Sequence, residues 1–263
     1  MRFTKMQALG NDYVCLDLTR QQPEGELSRL ARTLTDRHFG VGADGLLCVL
    51  PGQGSRLRMA LYNADGSRAA MCGNGIRCLA AYAWYHGLAE EGKPLTVETD
   101  AGLRTLTDAA DGIRVEMGQP VLGESLVLEA GGRTWRVRPV SMGNPHAVIF
   151  VPRLDRAPLE QVWPELERHS AFPDRTNVEL VEVTTPDLLR MRVWERGCGE
   201  TLACGTGACA AFAAAAVSRL TARRGRVELP GGVLSLDWPD PEGSIFLEGP
   251  AFTLFEGEWP GGS

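Results

Sequence analysis

Only two lysines occur in the chain, Lys5 and Lys93, and neither stands in a setting that suggests a Schiff base, which sets pyridoxal-phosphate chemistry aside. The four histidines are scattered at 38, 86, 146 and 169 and there is no Cys-x-x-Cys pair, so no metal site is expected. The Gly-x-x-x-x-Gly-Lys-[Ser/Thr] phosphate loop is missing. Gly197-Cys-Gly-Glu-Thr-Leu202 lacks the third glycine of a dinucleotide fingerprint. No apolar run reaches the length needed to cross a bilayer; the longest candidate, Ala208 to Val217, is too short. The first ten residues, MRFTKMQALG, lack the apolar core and cleavage site of a secretory signal, and a cytoplasmic protein is expected. A formal charge of −6, with the densest basic stretch confined to Arg219 to Arg226, argues against nucleic acid as a partner. That stretch reads as a solvated helix end.

Cysteine, by contrast, is plentiful. Seven are present, an odd number in a chain expected in a reducing compartment, which points away from a disulfide framework. Thiol chemistry or plain burial remains. Cys15, Cys48, Cys78 and Cys209 sit among apolar residues and read as small hydrophobes; Cys198 lies in a loop and takes no assignment. Cys72 and Cys204 differ because their surroundings repeat. Met71-Cys-Gly-Asn-Gly-Ile-Arg-Cys-Leu-Ala-Ala-Tyr82 matches Ala203-Cys-Gly-Thr-Gly-Ala-Cys-Ala-Ala-Phe212, and the two cysteines are 132 positions apart. Gly10-Asn11 matches Gly143-Asn144 at an offset of 133, and Val97-Glu98 with Gly102 matches Val227-Glu228 with Gly232 at 130. Gly118-Gln-Pro120 echoes Gly249-Pro250, and Asn63 and Glu195 each stand nine positions before their cysteine. Matches in one order at a near-constant offset indicate duplication.

The expected fold is α+β: two similar β-rich domains, each a mixed sheet or barrel wrapped around a buried central helix, related by an approximate two-fold axis. The halves are expected at 1–120 and 121–251, joined near Gln119 to Ser125, with the tail from about 252 to 263 returning to the first, and the active site in the cleft between them. Arg58-Met-Ala-Leu-Tyr62, Leu95-Thr-Val-Glu98, Ile113-Arg-Val-Glu-Met117 and Thr134-Trp-Arg-Val-Arg138 read as strands between glycine turns. Ile76 to Leu88 and Ala208 to Leu220 read as helices that are apolar nearly all round, and such helices belong inside a structure. Long helices do not alternate with strands, which excludes a doubly wound parallel sheet.

Each matched segment places a cysteine in a glycine-rich turn that opens a buried helix. Backbone N–H groups and about half a positive charge at such a helix start favour an anion there. A thiolate is stabilised in that position, and glycines let a carboxylate approach the backbone closely. Two such groups on opposite sides of a tetrahedral carbon, one thiolate and one thiol, could invert it in either direction. No cofactor is needed for that chemistry, and a small-molecule amino acid is the expected partner.

The ordered motifs resemble the diaminopimelate epimerases, members of the cofactor-independent amino-acid racemases. The resemblance runs nearly end to end. It rests on Gly10-Asn-Asp-Tyr13, Arg37-His-Phe-Gly-Val-Gly-Ala-Asp-Gly45, Asn63-Ala-Asp-Gly-Ser67, Met71-Cys-Gly-Asn-Gly75, Met142-Gly-Asn-Pro-His146, Arg175-Thr-Asn177 and the stretch from Glu195 to Gly207. It implies conversion of LL-diaminopimelate to the meso form, in lysine and peptidoglycan precursor biosynthesis, with Cys72 and Cys204 as base and acid. It also implies that backbone amides of Gly73, Asn74, Gly205 and Thr206 hold the reacting carboxylate. Asn63, Asn144, Asn177 and Arg196 would grip the distal head, while Asn11 and Glu195 would lie near the reacting ammonium. His146 and Glu195 would help set thiol protonation, and a homodimer is implied. Asn63 and Asn144 also sit where asparagine makes turns, and Arg37, His38, Asp44 and Asp65 read as loop hydrogen-bonding residues.

Two positions depart from the family pattern. Gly45 stands where some members carry glutamine, so one side-chain contact to substrate must be absent or replaced. Tyr13 replaces a commoner phenylalanine and brings a hydroxyl that needs a partner if buried. Three rival readings are a proline or hydroxyproline racemase, a non-catalytic amino-acid-binding relative, and a redox sensor built on Cys72 and Cys204. The first typically has histidine at the position of Asn74 and serine-proline where this chain has Leu202-Ala203.

Overall fold

A computed structural model describes residues 1–54, 56–156 and 159–260. The chain divides into two compact units, one formed by Met1–Val115 with Gly249–Ser263, the other by Glu116–Glu248. The C-terminal segment thus belongs with the N-terminal residues.

The first half of the chain forms strands β1 (Arg2–Ala8), β2 (Asn11–Asp17), β3 (Gly45–Pro51), β4 (Leu57–Asn63), β5 (Arg68–Ala69), β6 (Leu95–Thr99), β7 (Gly102–Ala109) and β8 (Gly112–Gly118), with helices α1 (Leu27–Thr35) and α2 (Gly73–Tyr85). There follow β9 (Val121–Leu122), β10 (Leu126–Ala130), β11 (Arg133–Ser141), β12 (Pro145–Phe150), α3 (Leu159–Glu167), β13 (Asn177–Thr185), β14 (Leu188–Glu195) and β15 (Gly199–Thr201). The last elements are α4 (Gly205–Val217), β16 (Arg224–Leu229), β17 (Gly232–Asp237), β18 (Ile245–Gly249) and β19 (Phe252–Glu258).

The duplication read from the motifs extends to strand pairing. In the first unit β1–β2 is antiparallel, β2–β3 parallel, β3–β4 antiparallel, β4–β6 parallel and β6–β7 antiparallel. In the second, β11–β12, β12–β13, β13–β14, β14–β16 and β16–β17 follow the same sequence of senses. Register agrees as well: Tyr13 pairs with Gly45 in the first unit, and His146 pairs with Asn177 in the second. Tyr13 and His146 therefore occupy equivalent places, each two residues after its Gly-Asn.

Each unit has three layers. In the first, α1 lays Ala31 and Leu34 on Val14, Leu16, Leu46 and Cys48, one face of the sheet. The other face, carrying Tyr13, Cys15, Leu47 and Leu61, meets α2. In the second, α3 packs Val162, Trp163 and Leu166 on Val137, Ile149, Val178 and Leu180, and α4 meets β11 to β14 and β17. Strands covered on both faces read as continuous apolar runs, as Tyr13 to Leu16 and Leu46 to Val49 do. Burial pushes the Cys48 and Cys78 thiols up to about 12 and also raises Cys15 well above its ordinary range, so these three are packing groups.

The two central helices begin earlier than the apolar pattern predicts, at Gly73 and Gly205 in place of Ile76 and Ala208. Glycine is a poor helix former, yet the first turn makes few internal hydrogen bonds and tolerates it. The basic stretch likewise differs from its reading as a helix end. α4 stops at Val217, β16 starts at Arg224, and Arg223 lies over the Trp238 ring at 4.9 Å.

Candidate active site

The helix starts carry the chemistry. Cys72 is the N-cap of α2, with extended backbone, and its carbonyl accepts the first helical hydrogen bond from Ile76 N–H at 2.9 Å. Cys204 stands at the start of α4 in the same way, its carbonyl accepting from Ala208 N–H at 2.9 Å. Glycine at the third helical position is required in the second unit. A Cβ on Gly207 would lie 2.8 Å from Glu179 Oε1 and 3.3 Å from Cys204 Cβ.

In the first unit the Cys72 sulfur lies 3.1 Å from the Tyr13 hydroxyl. Asn74 is fully buried, and its Oδ1 accepts from Arg77 Nη2 at 2.9 Å; Arg77 Nη1 donates to Gly73 O at 3.1 Å. Asn63 donates to Ser67 Oγ within its own turn at 2.9 Å. Asn11 Oδ1 is buried and has no hydrogen-bond partner among the described residues. Gly45 leaves no room for a side chain. A Cβ there would sit 2.8 Å from the Tyr62 carbonyl oxygen and 3.4 Å from the Tyr13 ring.

In the second unit Cys204, Thr206, Asn144 and His146 form one connected chain of hydrogen bonds, with Asn177 and Arg196 in a separate group. Cys204 Sγ accepts from Gly207 N–H and lies 3.4 Å from Thr206 Oγ1. Asn144 donates to Thr206 Oγ1 at 3.3 Å, and its Oδ1 meets His146 Nε2 at 3.1 Å. His146 Nδ1 meets Glu179 Oε1 at 2.6 Å. Asn177 accepts from the Arg196 backbone N–H at 2.8 Å and donates to Pro145 O, while the Arg196 guanidinium donates to Asp174 O. Glu195 accepts from Thr201 Oγ1 at 2.6 Å.

Electrostatics separates the two thiols' surroundings. Burial, then the negative charges of Glu195 and Glu179, push the Cys204 thiol well above its ordinary range, although Thr206 and the Gly207 amide pull the other way. Burial also raises Glu195, against its hydrogen bonds from Thr201 and Cys204. The expectation that a helix start favours a thiolate is therefore overridden at Cys204 by burial and two carboxylates.

Two residues escaped the sequence reading. Glu179 is fully buried and ends the chain from Cys204, and Arg77 is fully buried beneath the first turn of α2. A charge inside an otherwise apolar strand or helix was the available signal in both cases. A cavity of ≈ 800 Å³ in the first unit, lined in part by Asp17, Arg20, Tyr82 and His86, lies at the opposite end of α2 from Cys72. It contains none of the expected site residues. No group of three or more His, Cys, Asp or Glu able to hold a metal occurs among the described residues.

The model of the family described as "Diaminopimelate epimerase" matches residues 3–123 and 139–254. A diaminopimelate epimerase of Moorella thermoacetica is 45% identical, with 99% of each chain covered. One of Desulforudis audaxviator is 48% identical over 98% of this chain and 99% of its own. Among solved structures, a Bacillus anthracis phenazine biosynthesis protein of the PhzF family superposes with a TM-score of 0.76 at 20% identity, covering 97% of each chain. A probable proline racemase of Agrobacterium radiobacter gives 0.72 at 14% identity, covering 98% of this chain and 92% of its own. At these identities the likeness is one of fold.

Proposed function

The chain belongs to the diaminopimelate epimerase family, and we propose that it epimerises diaminopimelate without a cofactor, Cys72 and Cys204 acting on opposite faces of one α-carbon. The protein is an isomerase. The observation that carries the two-thiol reading is the matched setting of these cysteines, each the N-cap of a buried 13-residue helix in an equivalent place of a duplicated topology.

In this reading Cys72 enters as thiolate and Cys204 as thiol. Cys72 takes the α-proton of the LL isomer, and the electron pair left behind spreads into the carboxylate. Amides of Gly73, Asn74, Gly205 and Thr206 receive that growing charge, as preorganised donors at helix starts do. Cys204 then delivers its proton to the opposite face. Each turnover exchanges the protonation of the two sulfurs, so the protein that has made the meso isomer is set to run the reverse. Burial and the carboxylates of Glu195 and Glu179 suit Cys204 to the donor's role.

The remaining residues take the roles their chemistry suits. Asn11 Oδ1, a buried acceptor without a protein partner, and Glu195 receive the reacting ammonium. Asn63, Asn144, Asn177 and Arg196 bind the distal head, where a guanidinium fits a second carboxylate. His146 acts through Asn144 and Thr206 to hold Cys204 in place. The same reading carries a homodimer in the cytoplasm, the first tested by sedimentation and the second by fractionation.

Reduced protein incubated with LL-diaminopimelate in heavy water should lose the α-proton NMR signal and form the meso isomer, while L-proline stays unexchanged. Cys72→Ala and Cys204→Ala should each slow epimerisation by about 10²–10⁴-fold or more. Undiminished epimerisation in either variant refutes the two-thiol assignment; exchange of proline alone refutes the substrate.

A further inference from the structure

We propose that Tyr13 is a positioning residue for Cys72, its hydroxyl donating a hydrogen bond to the sulfur and holding it in the proton-accepting state. The inference rests on the two-thiol reading above and concerns a residue outside the substrate-binding set. Its starting point is a single contact, 3.1 Å between the Tyr13 hydroxyl and Cys72 Sγ.

The ring is held for that contact. Tyr13 is 3% exposed, on β2 between Met6 of β1 and Gly45 of β3. A Cβ on Gly45 would meet its Cδ1 at 3.4 Å, and a Cβ on Gly75, in the first turn of α2, would meet its Cζ at 3.5 Å. The ring thus lies directly against both glycines. The missing side chain at Gly45 and the added hydroxyl at Tyr13 are thus two aspects of one packing arrangement.

Chemistry fixes the direction of the bond. A thiolate can only accept, and a phenol is an ordinarily weaker acid than a thiol, so at neutral pH the phenol keeps its proton and donates. Hydrogen bonding to the charged form of an acid favours that form. Once Cys72 has taken the substrate proton, the interaction weakens and the hydroxyl exerts less pull.

Duplication supplies an independent argument. His146 occupies the place equivalent to Tyr13, two residues after its Gly-Asn and paired with Asn177 as Tyr13 is with Gly45. On the Cys204 side that place joins a polar chain ending at a buried carboxylate; on the Cys72 side it presents one hydroxyl to the sulfur. The unlike occupants give the two sulfurs unlike hydrogen-bond partners. Further titratable groups near Cys72 lie on its own helix. Cys78 and Arg77 lie on α2 itself, and the Arg77 guanidinium is turned to Gly73 O, Asn74 and Pro250 O. Gly45 and Leu61, from β3 and β4, present no ionisable group to the site.

The test compares the wild type with Tyr13→Phe, which removes one hydroxyl and keeps the ring. Alkylation of Cys72 by iodoacetamide is followed against pH by mass spectrometry of the Cys72 peptide, without substrate. The midpoint of that profile should move up by about 0.5–1 unit, the range expected for losing one ordinary net hydrogen bond. In epimerisation, kcat/KM should fall roughly 3- to 10-fold on its acid limb and stay near wild type on the plateau. It should fall equally in both directions, because their ratio is fixed by the reaction equilibrium. Replacing all tyrosines with 3-fluorotyrosine, a stronger donor, should move the midpoint down in wild type and not in Tyr13→Phe. The fluorotyrosine shift in the wild type remains a test if the phenylalanine variant folds poorly. Unchanged midpoints in both arms overturn the proposal even if epimerisation is intact. Shifted midpoints in a protein that exchanges no diaminopimelate leave Tyr13 in place and overturn the functional reading instead.

Discussion

His146 Nδ1 and Glu179 Oε1 lie 2.6 Å apart with both side chains fully excluded from solvent. The pair anchors the chain that runs through Asn144 and Thr206 to the Cys204 sulfur. Removing Glu179 as alanine strands a buried ring nitrogen and opens space beside it. Glu179→Ala should therefore cost about 2–4 kcal/mol in urea denaturation. Glu179→Gln, which keeps the shape, should cost clearly less; equal losses would mean that the carboxylate charge, and not the packing of the side chain, holds the site.

The same carboxylate acts on the thiol. Burial is the largest influence raising Cys204, and the charges of Glu195 and Glu179 add to it. Deleting either charge while keeping its volume should lower the pH at which Cys204 begins to react with iodoacetamide. Glu195→Gln and Glu179→Gln are each expected to show this shift. Both should also slow epimerisation, because a thiol that loses its proton early is a poorer donor. A rise of the Cys204 midpoint in either variant contradicts the account.

Arg77 illustrates a charge used for architecture. Its guanidinium is wholly buried and donates to Gly73 O, Asn74 Oδ1 and Pro250 O at 3.1, 2.9 and 3.4 Å. It therefore joins the first turn of α2 to the C-terminal segment within the first unit. Arg77→Lys keeps the charge and loses the planar fork, so it should destabilise by roughly 2–4 kcal/mol. A thermal melt unchanged by this substitution would show that the three contacts contribute little.

Periodicity and repetition made the central helices, the matched starts of those helices at the two cysteines and the duplication of the halves legible. Ile76 and Ala208 sit in runs too apolar for a surface, and the repeated Cys-Gly-x-Gly marks where each run starts. The outer helices were not legible. α1 is only nine residues long, so its stripe of Leu27, Leu30, Ala31 and Leu34 spans two turns, and α3 is equally short and carries Pro164 inside it. Glu179 was hidden for a different reason: its partner is 33 residues away and only the parallel pairing of β12 with β13 brings them together. The Tyr13 hydroxyl could be flagged as needing a partner, yet Cys72 is 59 positions distant and the contact depends on where α2 starts.

Asp12 offers a test by pH. Burial by itself raises its carboxyl, but hydrogen bonds from Lys5 and Arg37 outweigh that effect and hold it at about 2. Lys5 lies 2.7 Å from Asp12 Oδ2 and also donates to Gly42 O, and Arg37 spans Asp12 and Asp44 at 2.9 and 2.8 Å. Folded Asp12 binds a proton less readily than the unfolded chain, where an aspartate titrates near 3.9. Its contribution is thus fully present above about pH 4 and is lost as pH falls through about 2. The neighbouring Asp44 is raised by burial and opposes it, so a net contribution of about 1–2 kcal/mol is expected at neutral pH. Asp12→Asn should be less stable than wild type by that amount in urea at pH 7, with the gap closing as both approach pH 2. Asp12 stands between Asn11 and Tyr13, so the variant should also loosen the segment that presents them to the site. A stability difference that is the same at pH 7 and pH 2 would show that the charge of Asp12 is not what holds this segment.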